Sequence, residues 1–117
     1  MRRELRLRNR KDFDAVFQRG RSWNNDLLVL RTLPNNLEHN RTGFVTSKRV
    51  GKAVVRNRVR RRLREAIRVM PLAPGYDLVV SAKSRTADAD FHQLKRAAEN
   101  LLRRAGLLQD AAPGDAS

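Results

Sequence analysis

The chain contains no cysteine. That excludes a disulfide framework, a thiolate zinc site and a cysteine nucleophile. Histidine is scarce, with only His39 and His92, far apart in sequence. Acid is scarce too: 12 Asp and Glu are scattered over 117 residues. No Ser-His-Asp set, HExxH motif or phosphate-binding glycine loop is present, and a two-metal nuclease would need several converging carboxylates. Asp88 and Asp90 come nearest to a pair, and a helix N-cap accounts for them. His39 reads as a loop residue and His92 as a helix residue, neither as a ligand. No apolar run approaches the roughly 18–20 residues of a membrane helix. The basic N-terminus, MRRELRLRNRKDF, has no apolar stretch behind it of the kind a secretory signal needs. The expectation is a cytoplasmic protein that holds no metal on its own side chains and is not a catalyst by itself.

What the chain has is positive charge. Lys and Arg number 26, giving a net charge of +14 and a pI near 11.7. Such a surface seeks polyanions, nucleic acid first. All but five of the 26 basic residues are arginine, whose planar fork matches phosphate and base edges better than an ammonium does. The length suits one domain. The reading is a single RNA-binding domain over 1–108, with residues 1–8 as a mobile or extended basic arm and 109–117 as a disordered tail.

Local patterning divides the domain. Asn9, with Asp12 three residues on, resembles a capping box. Phe13, Val16 and Phe17 then follow at helical spacing, and Gly20 is the stop. Leu27–Leu33 reads as a strand ended by Pro34-Asn35-Asn36, and Gly43–Ser47 as a second. The polar loop between them predicts an antiparallel hairpin. Val55, Val59, Leu63 and Ile67 recur at four-residue steps in a helix from about Val54 to Met70, before Pro71. Tyr76–Ala82 is near-continuously apolar, a strand buried on both faces. Asp88 or Asp90 caps a last helix that Gly106 ends. The order α-β-β-α-β-α makes an α+β two-layer sandwich, with room for a parallel β-α-β unit around the second helix.

Lys48–Arg68 is the most informative stretch, with ten basic residues in 21 and Glu65 as its only acid. On a helical wheel Val55, Val59, Leu63, Ala66, Ile67 and Met70 fall in an arc of about 120°. Asn57, Arg61, Arg64 and Arg68 lie opposite, with Arg60 flanking and Arg58 and Arg62 on a second edge beside Glu65. Clustered like charge destabilises an isolated helix, so tolerating it implies a polyanion that relieves it. A merely solvated face would mix in acids. Phe13 and Phe17, one turn apart, are open to two readings: core packing, or one ring stacking on a nucleotide. Trp23 and Phe44 are equally open. Lys83 and Arg85, after the third strand, are a weak signal alone.

The segment KRVGKAVVRNRVRRRLREAIR resembles the signature of the bacterial ribonuclease P protein subunit, whose hallmark is a basic "RNR" helix, here Arg56-Asn57-Arg58. RKDFDAVFQRG, TGFVTSKR, YDLVVSA and LKRAAENLLRRAGL resemble the family's other elements, so the likeness spans about residues 5–108. It implies a fold like the second domain of a small-subunit ribosomal protein, with a left-handed β-α-β crossover where right-handed ones are the rule. It implies a small partner of a catalytic RNA in a 1:1 complex that removes the 5′ leader from precursor tRNA. The metal-assisted chemistry, with Mg²⁺, belongs to the RNA-containing holoenzyme. By position, Arg56, Asn57, Arg58, Arg60, Arg61, Arg64 and Arg68 would face the catalytic RNA. Phe13, Phe17, Lys48, Arg49, Lys52 and Lys83 would line or border the cleft that takes the leader, and at least one Phe ring would join the leader path. Arg31 departs from the family, in which many members have an aromatic at that place, and a charge or cation–π contact would stand in for a stack. The rivals are a ribosomal or RNA-chaperone module, since fold alone does not fix function, a stand-alone metal nuclease, which the scattered acids disfavour, and a DNA-binding protein.

Overall fold

In the computed structural model of the chain, residues 5–109 are described. Among them are helices α1 (Arg10–Arg19), α2 (Ala53–Arg68) and α3 (Phe91–Arg104), and strands β1 (Arg21–Asn24), β2 (Leu28–Pro34), β3 (Arg41–Thr46) and β4 (Tyr76–Ala82). Short 3-10 turns cover Lys48–Val50 and Ser84–Asp88. The strands form one mixed sheet in the order β1-β2-β4-β3.

The sheet corrects the expected hairpin and adds a strand to the expected order, which becomes α-β-β-β-α-β-α. Residues 28–34 and 41–46 do not pair with each other as a hairpin. β4 inserts between them, antiparallel to β2 and parallel to β3. The physical reason lies in β4, the most apolar strand, whose burial on both faces is best met at the centre of the sheet. The hairpin in the fold is instead β1–β2, with Trp23 opposite Leu30. Its first strand is four residues, RSWN, mostly exposed, so neither apolar alternation nor length announces it. The parallel β3–α2–β4 unit is as expected.

Side-chain alternation sorts the core. Leu28, Leu30, Leu78, Val80 and Ala82 face α2 and α3, where Val59, Leu63, Ile67, Leu94, Ala98, Leu101 and Leu102 close the main core. Each Leu, Val or Ile among them, fully buried, contributes about 1.5–3 kcal/mol of transfer free energy. This sheet and its helix pair make the α+β sandwich. On the other face lies a smaller cluster of Leu7, Val16 and Val79, with Phe13, Leu33 and Val45 packed on it. Helix α1 therefore adds a partial layer of its own.

Caps follow the sequence unevenly. Asp90 and Gln93 form a reciprocal capping box at the start of α3, and Gly106 takes φ +78° after its end. Asn9 sits at the N-cap of α1 but makes no side-chain cap bond. Gly20 follows α1 with extended backbone, φ −75°. It is required for another reason: a Cβ there would stand 2.4 Å from the Val16 carbonyl oxygen and 2.8 Å from that of Thr32.

The terminal expectations are revised where they can be seen. Leu7 is buried and its amide donates to the Thr42 carbonyl at 3.1 Å, so the arm's last residues dock along β3. Gln109 donates to the Pro71 carbonyl at 2.7 Å, which anchors the first residue of the expected tail. Residues 1–4 and 110–117 of the arm and tail lie outside the described residues.

Candidate nucleic-acid interface

Helix α2 buries Val59, Leu63, Ala66 and Ile67, so its arginines are forced outward and along its flanks. Six of the seven divide into three groups. Arg60 and Arg64 lean over β3: Arg60 donates to the Thr46 hydroxyl at 2.6 Å and to the Asn57 carboxamide, and the Arg64 guanidinium lies 5.8 Å from the centre of the Phe44 ring. Arg58 and Arg62 lean the other way, donating to the carbonyls of Ala87 at 3.5 Å and Ala89 at 3.1 Å. Asn57, Arg61 and Arg68 are exposed between them, and Arg68 is paired with Glu65 at 3.0 Å. The Nε atoms of Arg56 and Arg58 are out of contact with solvent and have no partner. All seven residues expected to face RNA are thus on one helix. Arg60 and Arg58 are also tied to the fold, so their forks are held in place before a phosphate arrives.

The opposite side of the sheet is built by register. One row across it runs Ser22, Arg31, Val79, Gly43, and the next runs Asn24, Val29, Ser81, Val45. Helix α1 lies over the first row. Val16 packs with Val79, and the Phe13 ring lies over Gly43, where a Cβ would sit 2.5 Å from Phe13 Cζ. No other residue type lets the ring come so close. The second row stays open, with Val29, Ser81 and Val45 only half-buried. At the border between rows Phe17 is 44% exposed. The Arg31 guanidinium lies over that ring, 4.8 Å from its centre, a contact within the protein that the sequence did not announce. Phe13 is half-buried packing; Phe17 is an open ring.

Basic residues fringe one end of that open row. Thr46 and Ala82 are register partners at the carboxyl ends of the parallel strands. Beyond them come the turn with exposed Lys48 and Arg49, then Lys52 at the N-cap of α2. Lys83 is less free than the sequence suggested. Its ammonium donates to the Asn25 carbonyl and reaches Asn24 Oδ1 at 3.4 Å, which ties the end of β4 to the β1–β2 turn.

At the other end an ion-pair network fastens α1 to the sheet. Arg41 donates to Asp77 through two nitrogens at 2.9 and 2.6 Å and meets Asp12 at 3.3 Å. The hydrogen bond to Asp77 holds the Arg41 pKa above its ordinary value, against the opposing effect of burial. Thr42 and Gly43 on β3 and Thr46 as the seat of Arg60 were not picked out as site residues from sequence, and Phe44, left open there, lies under Arg64. Only the strand pairing places them. Among the described residues no three His, Asp or Glu side chains come together as a metal site. The acids nearest the cleft, Asp12 and Asp77, are engaged with Arg41.

The arrangement is a basic helix on one side of a sheet and an aromatic-edged, half-open cleft on the other. Known proteins agree with it. A family model for ribonuclease P matches residues 1–106. The chain belongs to the ribonuclease P protein family. It is 44% identical over 114 residues to the ribonuclease P protein component of Roseiflexus castenholzii, covering 95% of this chain and 93% of the relative. It is 41% identical over 113 residues to that of Caldanaerobacter subterraneus, covering 94% and 97%. Among solved structures, the ribonuclease P protein of Staphylococcus aureus superposes with a TM-score of 0.83 at 29% identity, over 90% of this chain and 98% of that one. The ribonuclease P protein of Thermotoga maritima gives 0.75 at 34% identity, over 85% and 96%. A further S. aureus neighbour, with a TM-score of 0.84 at 29% identity over 90% of this chain and 91% of that one, is a mutant described as having defective mRNA degradation activity. As a member of this family the chain is an RNA-binding protein of tRNA 5′ processing.

Proposed function

We propose that the chain acts as a 1:1 protein subunit that lays α2 on the catalytic RNA of ribonuclease P and takes the 5′ leader of precursor tRNA on the α1 side of the sheet. The observation that carries this is the two-sidedness of the site. The guanidiniums of Asn57-flanking Arg56 to Arg68 and the exposed Phe17 ring with Arg31 lie on opposite faces of one four-stranded sheet. A protein built this way can touch two RNA strands at once. Two polyanions repel, and a body of net charge +14 between them screens that repulsion. The leader needs no fixed sequence, because phosphates and stacked bases are read alike in any single strand.

Hydrolysis itself is assigned to the RNA-containing holoenzyme, with Mg²⁺ held there. The protein's part is to position the leader and to lower the metal concentration the complex needs. The compartment consistent with this role is the cytoplasm. No helix among the described residues is long and apolar enough to cross a membrane.

The test is cleavage of a precursor tRNA at low magnesium with a bacterial ribonuclease P RNA, comparing RNA alone, protein alone and the two together. Product with a mature 5′ end only in the mixture is the expected result. Because one structural neighbour is described by an mRNA degradation activity, the protein-alone arm also carries an mRNA substrate. Cutting in that arm would overturn the assignment of catalysis to the RNA.

A further inference from the structure

The surface that this function leaves unused is the β1 edge of the sheet. It lies three strands away from β3, roughly 14 Å across at the usual strand spacing. It also carries a stacked cation. The Arg21 guanidinium lies 5.0 Å from the centre of the Trp23 ring, and Trp23 packs its inner side on the main core. A guanidinium held over an indole is a preformed platform for a phosphate or a base. Among the described residues Arg21 donates no hydrogen bond, so its fork is unspent.

Helix α3 supplies a second cation at the same edge. Asn25 Nδ2 donates to the Ala97 carbonyl at 3.0 Å and to Asn100 Oδ1 at 3.2 Å. Arg104, one turn beyond Asn100, donates to the Asn24 carbonyl at 2.9 Å. That bond uses one of five guanidinium donors and holds the rest beside β1. Between the two arginines run exposed Asn24 and Asn100 and the outer main-chain groups of an edge strand, which can donate and accept. On α3 the sole acid, Glu99, projects to the other flank at helical spacing. Asp26 in the turn reaches out to Arg85 at 4.0 Å.

We propose that the Arg21–Trp23 stack and Arg104 form a second RNA-binding surface, which grips a phosphate backbone segment of the catalytic RNA separate from the one α2 holds. The inference rests on the proposed function, because it needs the RNA complex to exist. Its chemistry is the same, guanidinium on phosphate with little sequence demand.

The absence of cysteine makes the test clean, since one introduced thiol is unique. Arg96→Cys lies one turn before Asn100 on the exposed side of α3. Val54→Cys lies on α2, 70% exposed. Each variant carries tethered iron–EDTA, is assembled with a bacterial ribonuclease P RNA, and hydroxyl-radical cuts are mapped. Cuts from position 96 at RNA sites distinct from those from position 54 are expected. Cuts from 54 alone would overturn this surface and leave the proposed function standing. No cuts from either would overturn both. In parallel, Arg21→Ala/Arg104→Ala should weaken binding about tenfold and make the log–log salt dependence shallower by about 1–2, while Arg21→Lys/Arg104→Lys keeps the slope. An unchanged slope in the alanine pair would overturn the surface.

Discussion

In the proposed function, helix α2 and the cleft beneath α1 hold RNA in opposite ways. On α2 the candidate residues lie within one short stretch of sequence, are mostly charged, and are numerous. In the cleft they are few and come from α1, β2, β3 and β4. The helix attracts through summed charge, which acts at a distance and is screened by salt. The cleft offers one open ring, one stacked guanidinium and a half-apolar floor, which act only in contact. If the proposal holds, the protein separates the work of affinity from the work of discrimination, and the two sides should fail differently when mutated.

The largest effect belongs to the helix. Replacing Arg61, Arg64 and Arg68 together by alanine is expected to weaken binding to ribonuclease P RNA by roughly two to three orders of magnitude, at about 1 kcal/mol or more per charge-assisted phosphate contact. The slope of log affinity against log salt should flatten by about 2.7 for three lost contacts. Filter binding from 50 to 400 mM salt checks both. Fold stability should fall by no more than about 1 kcal/mol, because Arg61 and Arg68 are exposed and Arg64 gives up only its contact with the Phe44 ring. A wild-type slope near zero over that range would break the electrostatic half of the comparison.

Next in size is a mutation that spoils the cleft by spoiling its scaffold. Gly20→Ala would place a methyl 2.4 and 2.8 Å from two main-chain oxygens, which cannot swing away as a side chain could. The backbone joining α1 to β1 must shift, at a cost of about 3 kcal/mol. Urea unfolding measures that loss. In the surviving folded fraction, leader discrimination should fall while RNA affinity through α2 remains.

How much of this was legible follows from the same contrast. The helix was readable because its period, its charge and its apolar back are local properties of consecutive residues. Tyr76–Ala82 matched the strand boundaries because its burial on both faces shows as an unbroken apolar run. The strand order was not readable. Nothing local in LLVLRTL or GFVTS says that a third strand will pass between them, and RSWN is too short and polar to announce β1. Leu7 looked like part of a charged arm because one leucine among arginines has no period. The cleft inherits these gaps. Phe17 and Arg31 were both named, but that they meet depends on α1 crossing the row of Arg31 and Val79. Lys83 was named for its charge, yet its ammonium is engaged by Asn25, a contact 58 residues away in sequence that no spacing rule reaches.

Phe17→Ala sharpens the comparison from the cleft side. The ring is 44% exposed, so its loss should cost little stability, whereas a lost base stack costs about 1–3 kcal/mol. Precursor tRNA with a leader should bind about tenfold more weakly, mature tRNA without one equally well, and the salt slope should stay put. Phe13→Ala should behave differently. Its ring fills the space over Gly43, so stability falls as well.

The smallest and most discriminating change is at Arg31. Its guanidinium lies over the Phe17 ring, 4.8 Å from the centre, and, among the described residues, makes no hydrogen bond. It can therefore hold the ring and offer donors to a leader phosphate at the same time. A cation–π contact at such a half-open site is worth about 0.5–1 kcal/mol, so Arg31→Ala should weaken leader-dependent binding only a few-fold. The salt slope for leader-bearing substrate should drop by about 0.7, the single-strand value for one phosphate, which Phe17→Ala does not produce. Arg31→Phe separates the two contributions. An aromatic there can stack but cannot neutralise charge, so affinity should return towards wild type at high salt and stay lower at low salt. If Arg31→Phe instead matched wild type at every salt concentration, the guanidinium would be serving only as a flat surface. The cleft would then discriminate by shape alone, and all the charge reading would belong to the arginines outside it.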